Sequence, residues 1–258
     1  MSGVLRPLPL VVAGIGPGKA GWVTPEVAEA LAAATDLVGY APYVARCAPR
    51  ADQAVHASDN RVELDRARHA LDLAHQGRRV VVVSGGDPGI FAMASALFEA
   101  IEKGDARDRA LDVRVLPGVS AMQAAAARLG APLGHDFCVL SLSDNLKGAD
   151  VIARRLNAAC DGDFVIALYN PASRARPGLI HEAFALLRAR KAAATPVMFA
   201  RAVGRDDERI EIATLGDADP GRADMSTLVL IGSSETRLIA REGGEPWVYT
   251  PRAYGGGR

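Results

Sequence analysis

Asp87 stands in Ser84-Gly85-Gly86-Asp87-Pro88-Gly89, a carboxylate set between a glycine pair and a proline. Glycines let a ligand approach the backbone closely, so this spacing offers main-chain groups and one acid together. A second cluster, Gly14-Ile15-Gly16-Pro17-Gly18, invites comparison with a phosphate-cradling loop, but its spacing is wrong. The dinucleotide fingerprint needs its third glycine three residues past the second, and Lys19 stands there. Asp36 precedes the next apolar run instead of ending it, so it is badly placed for a ribose. Gly18-Lys19 also fails as a P-loop, because Ala20 replaces the Ser or Thr that would hold magnesium.

Protein nucleophiles and metal ligands are scarce. Cys47, Cys138 and Cys160 are scattered, with no CxxC pair to suggest a disulfide framework or a zinc site. Cys138 and Cys160 are expected to fill core positions. His56, His69 and His75 fall in or near a polar segment and are expected to be solvated, while His181 opens another helix. No HExxH pattern and no Gly-x-Ser-x-Gly elbow occurs. The chemistry must therefore come from bound reactants that are already activated.

Residues 80–83 are a run of four valines and read as a buried strand entering the Gly85-Gly86 turn. Ile90, Met93, Ala94, Leu97 and Ile101 then recur at helical spacing, with Asp87 the N-cap candidate. Residues 10–13, 37–39 and 113–116 read as further strands. Thr24-Pro25 starts a helix with Val27, Ala30, Leu31 and Ala34 on one face. A polar helix is expected over about 60–76, stopped by Gly77. This alternation favours a mainly parallel sheet with helices packed on it. Past a boundary near residue 120, helices at 121–129, 149–160 and 178–190 mix with strands at 137–140, 164–168, 196–199, 210–214 and 228–231. The closer spacing points to a mixed or antiparallel sheet. The domains are thus 1–120 and 121–258, and the glycine-rich tail at 254–258 is expected to be disordered.

The chain has 258 residues, of which 49% are hydrophobic and 26 are glycine, enough for a substantial core. Thirty Lys and Arg balance thirty Asp and Glu, so no global field steers it toward nucleic acid or a membrane surface. The start of the chain lacks a charged leader with a signal-length apolar run, and no stretch is long enough to span a bilayer. The expectation is a reduced, cytoplasmic protein.

Four blocks, in order, resemble the tetrapyrrole (class III) S-adenosylmethionine-dependent methyltransferases. They are Val12-Ala13-Gly14-Ile15-Gly16-Pro17-Gly18, Ser84-Gly85-Gly86-Asp87-Pro88 with Ile90-Phe91, Pro117-Gly118-Val119-Ser120-Ala121, and Thr195-Pro196-Val197. The resemblance implies two α/β domains with the cofactor, S-adenosylmethionine, in the cleft between them, a tetrapyrrole (precorrin) substrate, and usually a homodimer. Five further stretches narrow the likeness to the branch that methylates corrin carbon C17, over the C11 and C20 branches. These are Asp36-Leu37-Val38-Gly39-Tyr40 with Tyr43-Val44, Ser141-Leu142-Ser143-Asp144, Ala167-Leu168-Tyr169-Asn170-Pro171-Ala172-Ser173, Phe199-Ala200-Arg201-Ala202-Val203-Gly204-Arg205, and Thr227-Leu228-Val229-Leu230-Ile231-Gly232. Asn145-Leu146-Lys147-Gly148-Ala149 departs from the family, where more apolar and aromatic residues stand.

By this resemblance Pro17, Gly86, Asp87, Ile90, Ser120, Ala121, Tyr169, Ala202 and Thr227 line the cofactor. A polycarboxylate substrate calls for cations, and Arg46, Arg50, Arg174, Arg201 and Arg205 are the loop-borne candidates, with Lys147 and Arg176 beside them. Asp144, Tyr40 and Tyr43 are the candidates for proton handling. Two other readings stay open: a protein-modifying relative of the diphthamide pathway, and a non-catalytic nucleotide-binding module. A cobalt-containing substrate is a further alternative to a metal-free one.

Overall fold

The computed structural model describes residues 9–59, 62–172 and 178–255. The chain divides after Ser120 into two compact units. In the first, the order is β1 (Leu10–Gly14), α1 (Pro25–Ala33), β2 (Asp36–Tyr40), α2 (Ala41–Arg46), β3 (Ala54–Ser58), α3 (Glu63–His75), β4 (Val80–Ser84), α4 (Met93–Lys103), α5 (Ala106–Arg109) and β5 (Val113–Leu116). The strands form one parallel sheet in the order β3-β2-β4-β1-β5. Every residue of β1 and β4 is buried, as the unbroken apolar runs require of strands covered on both faces. Alternation then sorts them. Val12, Val80 and Val82 pack with Ala70, Leu71 and Leu97 of α3 and α4. Val11, Ala13, Val81 and Val83 pack with Val27 of α1 and Val44 of α2.

The Thr24 side chain accepts the Val27 amide at 3.3 Å, with Pro25 at the first helical position, as its sequence predicts. Gly77 follows α3 with φ +77°, the left-handed conformation that ends a helix cheaply in glycine. Two expectations need correction. Strand β3 is absent from the sequence reading, because its alternating pattern of half-buried and exposed residues carries little apolar contrast. Helix α4 starts at Met93, leaving Ile90 outside it, since Phe91 takes φ +50° and Ala92 is extended.

The second unit contains α6 (Ala121–Leu129), β6 (Gly130–Ala131), β7 (Phe137–Ser141), α7 (Ala149–Asp161), β8 (Val165–Tyr169), α8 (Leu179–Arg190), β9 (Pro196–Arg201), β10 (Arg209–Thr214), β11 (Thr227–Ile231), β12 (Arg237–Arg241) and β13 (Gly244–Tyr249). Its main sheet runs β10-β9-β11-β8-β7 and is mixed: β7 and β8 are parallel, the other neighbours antiparallel. Ile166, Leu168, Phe199, Val229 and Ile231 form its core with Leu156, Phe184 and Leu187 of the helices. Phe184 stacks on Phe199 with ring centroids 6.0 Å apart. Cys138 and Cys160 pack against this core as expected. A small sheet, β12-β13-β6, was not expected; all five residues of β12 are exposed, so no pattern marks it as a strand. The expected disorder from residue 254 is also corrected at its first residue. Tyr254 donates to Asp163 Oδ2 at 3.3 Å and lies 6.0 Å from the His135 ring. Residues 256–258 lie outside the described ones. Among the described residues, no helix is long and apolar enough to cross a membrane.

Candidate functional site

Strand order makes a crevice in the first unit. The chain leaves β1 for β2, two places to one side, and leaves β4 for β5, two places to the other. The neighbouring strands β1 and β4 therefore send their loops in opposite directions, the topological switch point at which open parallel sheets bind ligands. These are the two glycine clusters of the sequence. Ile15 N donates to Ser84 O at 2.9 Å, Gly16 N to Gly86 O at 3.2 Å, and Gly86 N back to Gly16 O at 3.0 Å. Gly16 and Gly86 reach this mutual pairing at φ +67° and +66°, which costs glycine little.

The glycines serve the loops themselves as much as any ligand. A Cβ on Gly14 would lie 2.7 Å from both Gly118 N and Gly86 O, and one on Gly118 would lie 2.6 Å from Gly14 O. Three loops, following β1, β4 and β5, thus pack backbone against backbone. Asp87 locks them. Its Oδ1 accepts the Gly89 amide at 2.8 Å and its Oδ2 the Gly118 amide at 3.1 Å. Asp87 is therefore not the N-cap of α4, whose start lies six residues on. Pro17, Gly86, Asp87 and Ile90 are half-buried around this point, and Ser120 is buried.

Helix α2 carries two of the expected residues beside these loops. Arg46 Nη2 donates to the carbonyls of Ile15, Gly16 and Gly18 at 3.3, 3.0 and 3.1 Å. The Tyr43 ring lies on Gly85, where a Cβ would stand 2.6 Å from Tyr43 Cζ. Tyr40, just before α2, meets the Tyr43 ring edge-on at 5.2 Å. Arg50 is turned outward: it pairs with Asp52 through Nε at 3.0 Å and donates to Ala32 O at 2.7 Å.

In the second unit, one edge of the main sheet gathers most of the remaining candidates. The ends of β7, β8 and β9 and the start of β11 fall together, because β11 runs opposite to its neighbours. Ser141 lies in register with Tyr169, and Thr227 with Arg201. Tyr169 Oη accepts the Met122 amide at 3.0 Å, and Asn170 Nδ2 donates to Ser141 Oγ at 3.0 Å. Asn170 and Ala202 close their strands at φ +51° and +50°. Left-handed backbone in non-glycine residues is costly and concentrates at functional sites. Thr227 Oγ1 donates to Asp224 Oδ1 at 2.8 Å. Half-buried Asp144 follows β7, and Ala121 opens α6. The Lys147 ammonium is pushed below its ordinary range by burial and by Arg155, against the pull of Asp144.

Arg201 differs most from its expected setting. Its Nε pairs with Asp224 at 2.8 Å and its Nη1 with Asp207 at 2.7 Å. Hydrogen bonds to Asp207 and Asp224 raise its affinity for its proton. Arg205 is exposed, its amide bonded to Ala202 O at 3.0 Å. Arg174 and Arg176 lie outside the described residues.

Of the three histidines expected to be solvated, His69 is exposed and His56 and His75 are half-buried, and each has a side-chain partner. His56 Nε2 is 2.9 Å from buried Asp36, His69 Nε2 is 2.9 Å from His56 Nδ1, and His75 Nε2 is 2.7 Å from Asp108. Sequence reasoning missed these partners because each lies more than a dozen residues away. Cys47 and Cys138 are pushed up to about 11 by burial, so neither is a thiolate near neutrality. No group of three or more His, Cys, Asp or Glu among the described residues is arranged to hold a metal ion.

The family model described as tetrapyrrole (corrin/porphyrin) methylases matches residues 9–219. A Sinorhizobium protein named precorrin-3B C(17)-methyltransferase is 58% identical over 96% of this chain and 97% of its own length. A crystal structure of the methyltransferase CobJ superposes with a TM-score of 0.90 at 53% identity, over 95% of this chain and 100% of that one. A Salmonella typhimurium protein, named a probable cobalt-factor III C(17)-methyltransferase, is 42% identical over 95% of this chain and 99% of its own.

Proposed function

Because this chain belongs to the tetrapyrrole (corrin/porphyrin) methylase family, we propose that it transfers the methyl group of S-adenosylmethionine to carbon C17 of precorrin-3B. The macrocycle contracts to precorrin-4, a step of cobalamin biosynthesis. The observation that carries this reading is 58% identity across nearly the whole of both chains to the relative bearing that activity in its name. The cobalt-factor III relative is more distant, at 42%, which favours the metal-free substrate.

The residues at the switch point suit this cofactor. Pro17 and Ile90 give a neutral, partly apolar rim beside accessible backbone at Gly86. Each Asp87 oxygen has a lone pair beyond the one taken by a backbone amide, so the carboxylate can still receive an ammonium or a ribose hydroxyl. Ser120, Ala121, Tyr169, Ala202 and Thr227 complete the set that we assign to it. When bound, S-adenosylmethionine supplies a methyl group already activated on a sulfonium. The protein's part is then orientation, which is what the interlocked loops provide. Asp144 and Tyr40 are assigned to the proton lost as the ring rearranges, and Lys147 and Arg205 to the substrate carboxylates. We also assign the protein to the cytoplasm, as a homodimer.

Incubation with precorrin-3B and methyl-labelled cofactor tests the reading. Label at C17 of a ring-contracted product is expected. Label at C11 or C20, methylation without contraction, or faster turnover of cobalt-factor III would each replace it. Sedimentation at micromolar concentration decides the dimer, and a monomer removes it.

A further inference from the structure

Helix α2 touches both loops of the switch point, and does so through residues three apart on one face. Tyr43 lays its ring on Gly85 after β4: a Cβ added there would meet Cζ at 2.6 Å and the two Cε atoms at 2.8 and 2.9 Å. Arg46, one turn on, gathers the carbonyls of Ile15, Gly16 and Gly18 after β1 onto a single guanidinium nitrogen. The helix is itself seated firmly. Val44 is buried, its Cγ2 standing 2.8 Å from where a Gly39 Cβ would be, and Tyr40 braces the Tyr43 ring at an interplanar angle of 90°.

We infer that α2 is a bracket that fixes the spacing of the two glycine loops, with Tyr43 and Arg46 as its positioning residues. Tyr43 is then not a proton acceptor, nor Arg46 a substrate cation. The Gly16–Gly86 pair ties the loops to each other, whereas α2 ties each of them to the sheet through β2. Three carbonyls drawn to one nitrogen bend the β1 loop around that point, which a neutral amide does not reproduce and a lysine ammonium reproduces only in part. A flat ring on a glycine sets the height of the β4 loop, and any side chain at 85 would displace it. The inference rests on the proposed cofactor site being where these loops meet.

The experiment compares the full-length protein with Arg46→Gln, Arg46→Lys, Tyr43→Ala and Tyr43→Phe. It reads S-adenosylmethionine affinity by calorimetry, KM for precorrin-3B, and amide exchange at Gly16 and Gly86 without ligand. Arg46→Gln and Tyr43→Ala should each weaken cofactor binding about tenfold or more, while the precorrin KM moves less than about threefold. Each should speed exchange at both glycines, including the one on the loop that the altered residue does not touch. Tyr43→Phe keeps the ring and should restore the affinity, whereas Arg46→Lys should restore it in part. A raised precorrin KM with unchanged cofactor affinity in Arg46→Gln would overturn the bracket. So would loss of kcat in Tyr43→Phe at full cofactor affinity. Wild-type protein that binds no S-adenosylmethionine would sink the proposed function instead. The exchange rates would then still decide the bracket, because they need no ligand, and Arg46→Lys serves if Arg46→Gln does not fold.

Discussion

Asp87 and Gly118 are joined across 31 residues, the carboxylate Oδ2 accepting the glycine amide at 3.1 Å. The bond ties the loop after β4 to the loop after β5, while the other oxygen holds the turn at Gly89. A carboxylate with two amide donors cannot be copied by an amide side chain, which has one acceptor oxygen and a donor facing the second N–H. Asp87→Asn should therefore cost about 1–3 kcal/mol in urea unfolding. The cofactor should also bind more weakly, by calorimetry. An unchanged unfolding midpoint would mean that the bond carries no load.

Glycine at 118 is required by its neighbours, and at 86 by its backbone. A Cβ at 118 would press on Gly14 O and on Gly86 O, so Gly118→Ala should force the loops apart and lower stability by about 1–3 kcal/mol. Gly86→Val places a β-branched residue at φ +66° and should abolish cofactor binding in folded protein. Gly21→Ala is the control, since a Cβ there meets nothing within 4 Å. Thermal melts of the three, with cofactor titration, check the ranking.

Much of this is legible in the sequence. The four valines of β4 and the apolar run of β1 can only be strands covered on both sides, and the glycines after them mark where the sheet stops. Residues at the edges were not legible. β3 and β12 bury too little for a pattern to form, and a helix start delayed to Met93 depends on Phe91 adopting φ +50°, which residue type does not announce. The site divided along the same line. Loops could be identified from local spacing, but the partners of Arg46, Arg201 and His56 come from other elements, and only the fold brings them together.

The thiols should be inert. Burial holds Cys47 and Cys138 at about 11, so iodoacetamide at pH 8 meets almost no thiolate at either. Methyl transfer should survive that treatment in native protein, and mass spectrometry should find both cysteines unmodified until denaturant is added. Rapid inactivation with Cys47 labelled would contradict the setting described for α2.

Acid should weaken the first unit through Asp36. Burial alone would raise its pKa, but bonds from Arg78, Thr35 and His56 outweigh burial and hold the carboxyl below its ordinary range. A folded pKa below the unfolded one gives stability that is present above the unfolded value, near 4, and is lost as pH falls through the folded one. Urea midpoints should thus be steady near neutrality and drop below about pH 4. Asp36→Asn should start lower at pH 7 and fall less steeply. An equally steep fall in that variant would assign the acid limb to other carboxylates.

Arg201 separates a structural cation from a substrate cation. Two carboxylates, Asp207 and Asp224, already hold its guanidinium, and Asp224 in turn receives the Thr227 hydroxyl at the start of β11. Arg201 is partly exposed, so each ion pair is screened by water and contributes little by itself. Removing the arginine nevertheless takes the shared cation from two acids beside Ala202, which closes β9 at φ +50°. Arg201→Gln should therefore lower stability modestly and weaken cofactor binding through Ala202 and Thr227, two of the residues proposed to hold it, with little change in KM for the tetrapyrrole. The double variant Arg201→Gln with Asp207→Asn removes one of the stranded acids and should recover part of the loss. If Arg201 instead held a substrate carboxylate, the tetrapyrrole KM would rise sharply at unchanged stability, and the second substitution would recover nothing. Steady-state kinetics in both substrates, beside melts of the same preparations, distinguishes the two.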